Sequence, residues 1–219
     1  MIASRTLALA AAACGALAIA AAPWALAQPA LNFVFKPLTT LVVIAYALGR
    51  GRGGVPAVRR FVLAGLWLSL GGDVALMWPE RGFLPGLVCF LLAHLAYLMA
   101  FTRVQRLAAR PWVFAAYAAV AALVLSQLWS GVPPALRVPV VAYVLCLAAM
   151  AAQAGVLWRM GAERGAVLAL GGGLFLLSDA LLATNKFAGP LPLATLWVLA
   201  PYWLAQWCIA SWLAPPAPR

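Results

Sequence analysis

The chain has 219 residues, of which 67% are hydrophobic and only 9% are charged. A soluble domain carries about a quarter charged residues, and transmembrane β-strands alternate apolar and polar side chains, which these long apolar runs do not. The net charge of +11 does not indicate a nucleic-acid partner, because the basic residues lie singly or in small groups between apolar runs. The composition therefore predicts an all-α, polytopic membrane protein.

Arginine, glycine and proline residues divide the chain into eight apolar segments. A helix needs roughly 20 residues to cross the ~30 Å hydrocarbon core of a bilayer. In chain order, the predicted spans are 6–27, 35–48, 58–78, 83–102, 111–129, 138–157, 165–184 and 191–213. The second span is the shortest and can begin earlier, near Leu31. Because the connections are short, we expect residues 1–219 to form a single integral membrane domain, a bundle of about eight helices.

Most of the fifteen basic residues lie at the termini and in the connections after spans 2, 4 and 6. The positive-inside rule places these connections, and both termini, in the cytoplasm. Residue usage rich in alanine, arginine and tryptophan suggests a GC-rich bacterial genome, and we expect the protein in the bacterial inner membrane. The first span also imitates a signal peptide, with Arg5 before the apolar run and "ALAQP" (25–29) as a cleavage site. Its apolar run is longer than a usual signal core, which favours a retained helix; cleavage would leave seven spans.

The two halves of the chain share short patterns. Spans 3 and 7 carry "GGDVALM" (71–77) and "LSDALLA" (177–183), and spans 2 and 6 open with "FKPL" (35–38) and "LRVP" (136–139). Four helices followed by four similar ones would cross the membrane in the same direction. The sequence therefore suggests a parallel four-plus-four repeat.

Asp73 and Asp179 are acidic residues inside apolar spans, where ionisable groups are costly and usually mark function. Both lie roughly 8–9 Å below the outer end of their span, at about 1.5 Å per residue. If they meet, poor hydration and mutual repulsion let one carboxyl keep a proton while the other stays charged. A general acid beside a stabilising anion has this arrangement. Alternatively, each aspartate pairs with an arginine or caps a helix, although most arginines lie at the opposite end.

Four further polar residues lie inside spans 4 and 8. His94, the single histidine, is near the middle of span 4, with Tyr97 on the same helix face. Tyr202 and Gln206 share one face of span 8 at a similar depth. Each can line a site, or only pack and form hydrogen bonds between helices.

Cations and an amide lie at the outer ends of spans 2, 6 and 7. Lys36, Arg137 and Lys186 could receive a phosphate, with Asn185 beside Lys186, and ordinary snorkelling explains any one of them equally well. Motifs of serine hydrolases, nucleotide-binding loops and zinc proteases are absent, and the four cysteines lack metal-ligand spacing. We therefore expect no metal or cofactor, and a chemistry based on carboxyl groups.

Five stretches carry a resemblance to a known family: 35–42, 70–77, 83–101, 176–187 and 201–211. They read "FKPLTTLV", "LGGDVALM", "FLPGLVCFLLAHLAYLMAF", "LLSDALLATNKF" and "PYWLAQWCIAS". In order and spacing, the chain resembles the YhhN-like lysoplasmalogenase family of eight-span membrane proteins. The resemblance covers most of the chain from span 2 onward.

The resemblance implies hydrolysis of the vinyl ether bond of a lysoplasmalogen to a fatty aldehyde and a glycerophospho-base. Asp73 and Asp179 would be the acid and the stabilising anion, in an unassigned order, and His94 would orient water or relay its proton. The substrate-binding residues predicted on this basis are Tyr97, Tyr202, Gln206, Asn185, Lys186 and Lys36. The expected partners are a lysophospholipid and membrane lipids, and a homo-oligomer is left open.

Two other function classes fit the same residues. A proton-coupled transporter of small molecules or lipids would also use buried aspartates and a repeat. A lipid-binding scaffold would tolerate loss of both aspartates. Because many bacteria lack plasmalogens, a related ether or another lysophospholipid is an alternative substrate.

Overall fold

The computed structural model describes residues 4–78 and 80–214. The predicted single domain also includes residues 1–3, 79 and 215–219, which lie outside the described residues. Within it, every long regular element is an α-helix. The helices are α1 (Ser4–Ala20), α2 (Pro29–Leu48), α3 (Pro56–Ala75), α4 (Phe83–Thr102), α5 (Pro111–Leu128), α6 (Pro134–Arg159), α7 (Gly165–Phe187) and α8 (Ala194–Trp212).

Five of the described helices, α2, α4, α5, α6 and α7, are long and apolar enough to cross a membrane. The helix α1 is apolar but shorter, with 17 residues. The prediction of an all-α, multi-pass membrane helix bundle is confirmed. Membrane crossing by α1, α3 and α8 stays a prediction.

Prolines determine where several helices begin. Pro29, Pro56, Pro111 and Pro134 each lie in the first turn of a helix, where proline's fixed φ suits the helix and its missing N–H leaves no bond unmade. The helix α2 begins at Pro29 and continues through Pro37, so the second predicted span extends beyond 35–48 to an earlier start, close to the one near Leu31 that the sequence also allows.

Close helix contacts surround the two aspartates. The helix α3 packs against α4, and α7 packs against α6 and α8. A Cβ at Gly72 would lie 2.5 Å from the Phe90 ring, and a Cβ at Gly172 would lie 3.0 Å from Ala151 Cα. Small residues permit this approach of membrane helices, and both glycines lie within one or two turns of an aspartate.

The two halves have corresponding helix neighbours. The helix α3 packs on α4 as α7 packs on α8, and α4 contacts α6 as α8 contacts α2. A four-plus-four arrangement requires such matched neighbours. The parallel repeat itself stays a prediction.

One cluster of buried apolar side chains draws on α1 to α4 and α6 to α8. The remaining helix, α5, packs separately against α6 through Val113, Ala152 and Val156. Because α5 lies outside the main core, a cavity remains between it and α4, α6 and α7.

Arginines from two connections meet at the C-terminal end of α8. The Arg50 guanidinium donates to the carbonyls of Leu213 and Ser211, both at 3.0 Å, and Arg164 donates to Ser211 at 2.8 Å. Cations stabilise a helix C-terminus because its last carbonyls carry partial negative charge. The arginine-rich α2–α3 and α6–α7 connections therefore lie at the same end of the bundle, as the charge pattern predicted.

Candidate functional site

Asp73 lies near the C-terminal end of α3 and is only 1% exposed. Its Oδ2 accepts hydrogen bonds from the hydroxyls of Thr40 at 2.6 Å and Tyr202 at 2.7 Å. Lys36 Nζ lies 3.9 Å from Oδ1. Lys36 and Thr40 reach the same carboxyl because residues four apart share a helix face. These contacts, one of them from a cation, suit an ionised carboxylate.

Asp179, on α7, has different partners. The Tyr143 hydroxyl of α6 donates to its Oδ2. In the part of the chain that the structure describes, no lysine or arginine lies within ion-pair distance of Asp179. The two aspartates therefore differ in their surroundings, one beside a cation and two hydroxyls, the other beside a single phenol.

Both carboxyl groups line one cavity of about 270 Å³, which we call the polar cavity. It lies between α2, α3, α4, α7 and α8. Six of the nine site residues predicted from the sequence line it: Lys36, Asp73, Asp179, Asn185, Lys186 and Tyr202. The structure thus brings together the two aspartates and both predicted lysines.

The two outer lysines lie in different environments. Lys36 is buried against Asp73, at 8% exposure. Lys186 is exposed, and its Nζ lies 5.2 Å from the centre of the Phe83 ring. The neighbouring Asn185 uses its side-chain oxygen to accept the Leu191 N–H at 2.8 Å, which fixes the α7–α8 connection. Of these two lysines, Lys186 is therefore the one that can contact a ligand.

A second cavity of about 360 Å³, which we call the apolar cavity, adjoins the first. The residues that line both are Leu76, Phe83, Phe90, Asp179 and Leu182. Asp179 thus faces both cavities, whereas Asp73 faces only the polar one.

The three remaining predicted site residues line neither cavity. Tyr97 donates to Gln206 Oε1 at 2.6 Å, and both side chains are fully buried. His94 is also fully buried, and within the described residues neither ring nitrogen has a hydrogen-bond partner. Its ring packs edge-on against Phe175 at 4.5 Å and Tyr143 at 5.4 Å. Tyr97, Gln206 and His94 thus lie away from both cavities, and the roles predicted for them stay predictions.

Sequence reasoning missed two residues of the site, Thr40 and Tyr143. Thr40 lies one turn after Lys36, and Trp203 Nε1 donates to its hydroxyl at 3.3 Å. Tyr143 is the single hydroxyl between Arg137 and Gln153 in the sequence of α6. For Tyr143 the available signal was an isolated hydroxyl in an apolar span, and for Thr40 it was the position one turn after Lys36 on the same helix face.

The contacts limit the chemistry that the site can perform. Ser178 lines the polar cavity, but its hydroxyl donates to the Val198 carbonyl at 2.8 Å, so no base activates it. Across residues 4–78 and 80–214, no group of three or more His, Cys, Asp or Glu side chains is placed to share a metal ion. Two carboxyls with unlike partners suit proton transfer with stabilisation of a positive charge.

Comparison with known proteins gives a family match over residues 31–213, described as the YhhN family. The chain is 40% identical to the lysoplasmalogenase TMEM86B of Sus scrofa over 172 residues, covering 78% of this chain and 69% of the relative. It is 33% identical to the lysoplasmalogenase TMEM86A of Homo sapiens over 175 residues, covering 78% and 71%. It is 31% identical to the lysoplasmalogenase of Mycobacterium tuberculosis (strain CDC 1551 / Oshkosh) over 170 residues, covering 74% and 61%. No solved structure matches the chain.

Proposed function

The chain belongs to the YhhN family, and from this membership and the paired cavities we propose that it hydrolyses the vinyl ether bond of a lysoplasmalogen. The relatives it matches over most of its length are named lysoplasmalogenases. The observation that carries the proposal is the position of Asp179, in the wall between a polar and an apolar cavity, with Asp73 in the polar one. A lysolipid has the same division between headgroup and hydrocarbon chain.

The headgroup occupies the polar cavity. Lys186 holds the phosphate as a point charge, because it is exposed and lines this cavity. Lys36 keeps Asp73 ionised instead of holding phosphate, because it is buried against that carboxyl. The vinyl ether, which joins the headgroup part to the chain, then lies beside Asp179.

Asp179 is the general acid. With a phenol as its partner and no cation in ion-pair distance among the described residues, it is the carboxyl whose surroundings suit the protonated form. It delivers its proton to the β-carbon of the vinyl ether, the double bond supplies the electrons for the new C–H bond, and an oxocarbenium ion forms. Tyr143 holds the carboxyl in place during this step.

Asp73 is the stabilising anion and then the base. Held ionised by Lys36, Thr40 and Tyr202, it lowers the energy of the oxocarbenium ion, as a carboxylate does in glycoside hydrolysis. A water adds to the cation and gives its proton to Asp73, which leaves a hemiacetal. The bond between the hemiacetal carbon and the glycerol oxygen then breaks. The hemiacetal hydroxyl loses its proton in this step, and the glycerol oxygen gains one. The products are a fatty aldehyde and the glycerophospho-base, and the proton on Asp73 returns to Asp179 through water.

His94 acts as a positioning residue in this scheme. It packs against Tyr143 and Phe175, and Tyr143 holds Asp179. Its effect on the reaction therefore passes through the tyrosine.

The charge pattern supports an orientation of the helix bundle in the membrane. With the arginine-rich end of the bundle in the cytoplasm, both termini are cytoplasmic in a bacterial inner membrane, and the polar cavity lies in the outer half of the bilayer. A lysolipid then reaches the cavity from the outer leaflet. Labelling of single-cysteine variants at Arg5 and Arg81 with an impermeant thiol reagent tests this, in a chain whose native cysteines are replaced. Labelling at Arg81 alone in intact cells is expected, and labelling at Arg5 alone contradicts the orientation.

Mass spectrometry of a lysolipid panel after incubation with the detergent-purified protein tests the proposal. We expect fatty aldehyde from lysoplasmenyl substrates, and its loss in Asp73→Asn and Asp179→Asn. Glu163→Gln is the matched control, because Glu163 is an exposed carboxylate in the α6–α7 connection. Aldehyde release at the wild-type rate by both aspartate variants would refute the carboxyl mechanism. Flux into liposomes without any product would instead indicate the transporter.

A further inference from the structure

The apolar cavity runs along α7 from Phe187, past Asp179, to Gly173, and Gly173 marks its side nearest the arginine-rich end of the bundle. Its lining is almost entirely hydrocarbon, with Asp179 and Tyr143 as the polar side chains among the described residues. Its volume of about 360 Å³ lies within the range of pockets that hold small ligands. Because five residues line both cavities, the two adjoin at Asp179, and the proposed function places the hydrocarbon chain of a lysolipid in this cavity and its headgroup in the polar one.

Gly173 lines this cavity and differs from the two glycines before it. A Cβ at Gly171 would lie 2.9 Å from Cys208 Cβ, and one at Gly172 would lie 3.0 Å from Ala151 Cα. Those two glycines are needed for helix packing. A Cβ at Gly173 would meet no atom within 4 Å, so the absent side chain leaves open space in the cavity.

We propose that Gly173 is a specificity-determining residue that admits long hydrocarbon chains. It lies six residues before Asp179, on the order of 9 Å along the helix axis. Carbons near the cleaved bond do not reach it, whereas the distal part of a long chain passes it. The inference rests on the proposed function, because it takes Asp179 as the point where the chain is cleaved.

The test replaces the glycine with a bulky residue and compares two chain lengths. Wild-type protein and Gly173→Phe receive an equimolar mixture of hexenyl and hexadecenyl lysoplasmenylethanolamine, and the two aldehydes are quantified together. Excluding about three methylene groups from an apolar site lowers kcat/KM on the order of fiftyfold. We expect that loss for the hexadecenyl substrate and an unchanged kcat/KM for the hexenyl one.

Ala166→Phe is the matched control. Ala166 lies on α7, two turns before Gly173, and is exposed outside the cavity. It is expected to keep the wild-type ratio of the two aldehydes. Gly173→Val gives a smaller shift in the same direction and replaces the phenylalanine variant if that protein does not accumulate.

The outcomes separate this inference from the proposed function. Absence of aldehyde from wild-type protein refutes the proposed function and the inference with it. An active wild-type protein whose Gly173 variants keep its aldehyde ratio refutes the inference alone. An equal loss for both chain lengths also overturns it, since such a loss reports damage to the carboxyl site rather than a shortened chain pocket.

Discussion

Tyr143→Phe tests which aspartate is the acid, because the direction of its effect depends on the charge of Asp179. The substitution removes one hydroxyl and keeps the ring that packs 5.4 Å from the His94 ring. The Tyr143 hydroxyl donates to Asp179 Oδ2. If Asp179 starts protonated, this bond strengthens as the proton leaves and the carboxylate forms.

The magnitude follows from the two charge states. A hydrogen bond between neutral groups contributes about 1 kcal/mol, and one to a charged group about 1.5–3 kcal/mol. The hydroxyl therefore stabilises the transition state by about 0.5–2 kcal/mol more than the ground state. Its removal lowers kcat about two- to thirtyfold.

The assay is the initial rate of aldehyde release at saturating substrate. Tyr117→Phe is the matched control, since Tyr117 packs against α6 near Gly155 and lines neither cavity. It should keep the wild-type kcat. If Tyr143→Phe is as fast as wild type or faster while Asp179→Asn is inactive, Asp179 is not the proton donor.

Two further substitutions test the headgroup contact and the absence of a serine nucleophile. Lys186→Met should raise KM about tenfold and leave kcat unchanged, because a phosphate contact is made equally in the ground and transition states; a fall in kcat with constant KM would contradict this role. Arg81→Met is its control, since Arg81 lines neither cavity. Ser178→Ala should keep kcat and lose about 1 kcal/mol of unfolding free energy with its bond to the Val198 carbonyl. Complete loss of aldehyde release by folded Ser178→Ala would indicate serine chemistry instead.

Amino-acid sequence alone predicted that this protein is built from helices, although not where each one begins. Backbone groups in lipid must form their hydrogen bonds within a helix, so apolar runs of sufficient length predict the elements directly. Pro111 and Gly165, for example, begin helices at the residues where predicted spans 5 and 7 begin. The two aspartates also stood out, because a carboxyl in an apolar span is costly enough to be rare.

Only the tertiary structure decided which polar side chains face the cavities. Tyr97 donates a hydrogen bond to Gln206 away from both cavities, whereas Tyr143 donates one to Asp179. In a soluble protein the polar face of a helix shows its rotation, but lipid and core are both apolar, so this signal is weak in a membrane helix. Likewise, Gly172 and Gly173 are identical letters in the sequence. One lies against Ala151 and the other beside open space, because neighbouring helices approach only one of them.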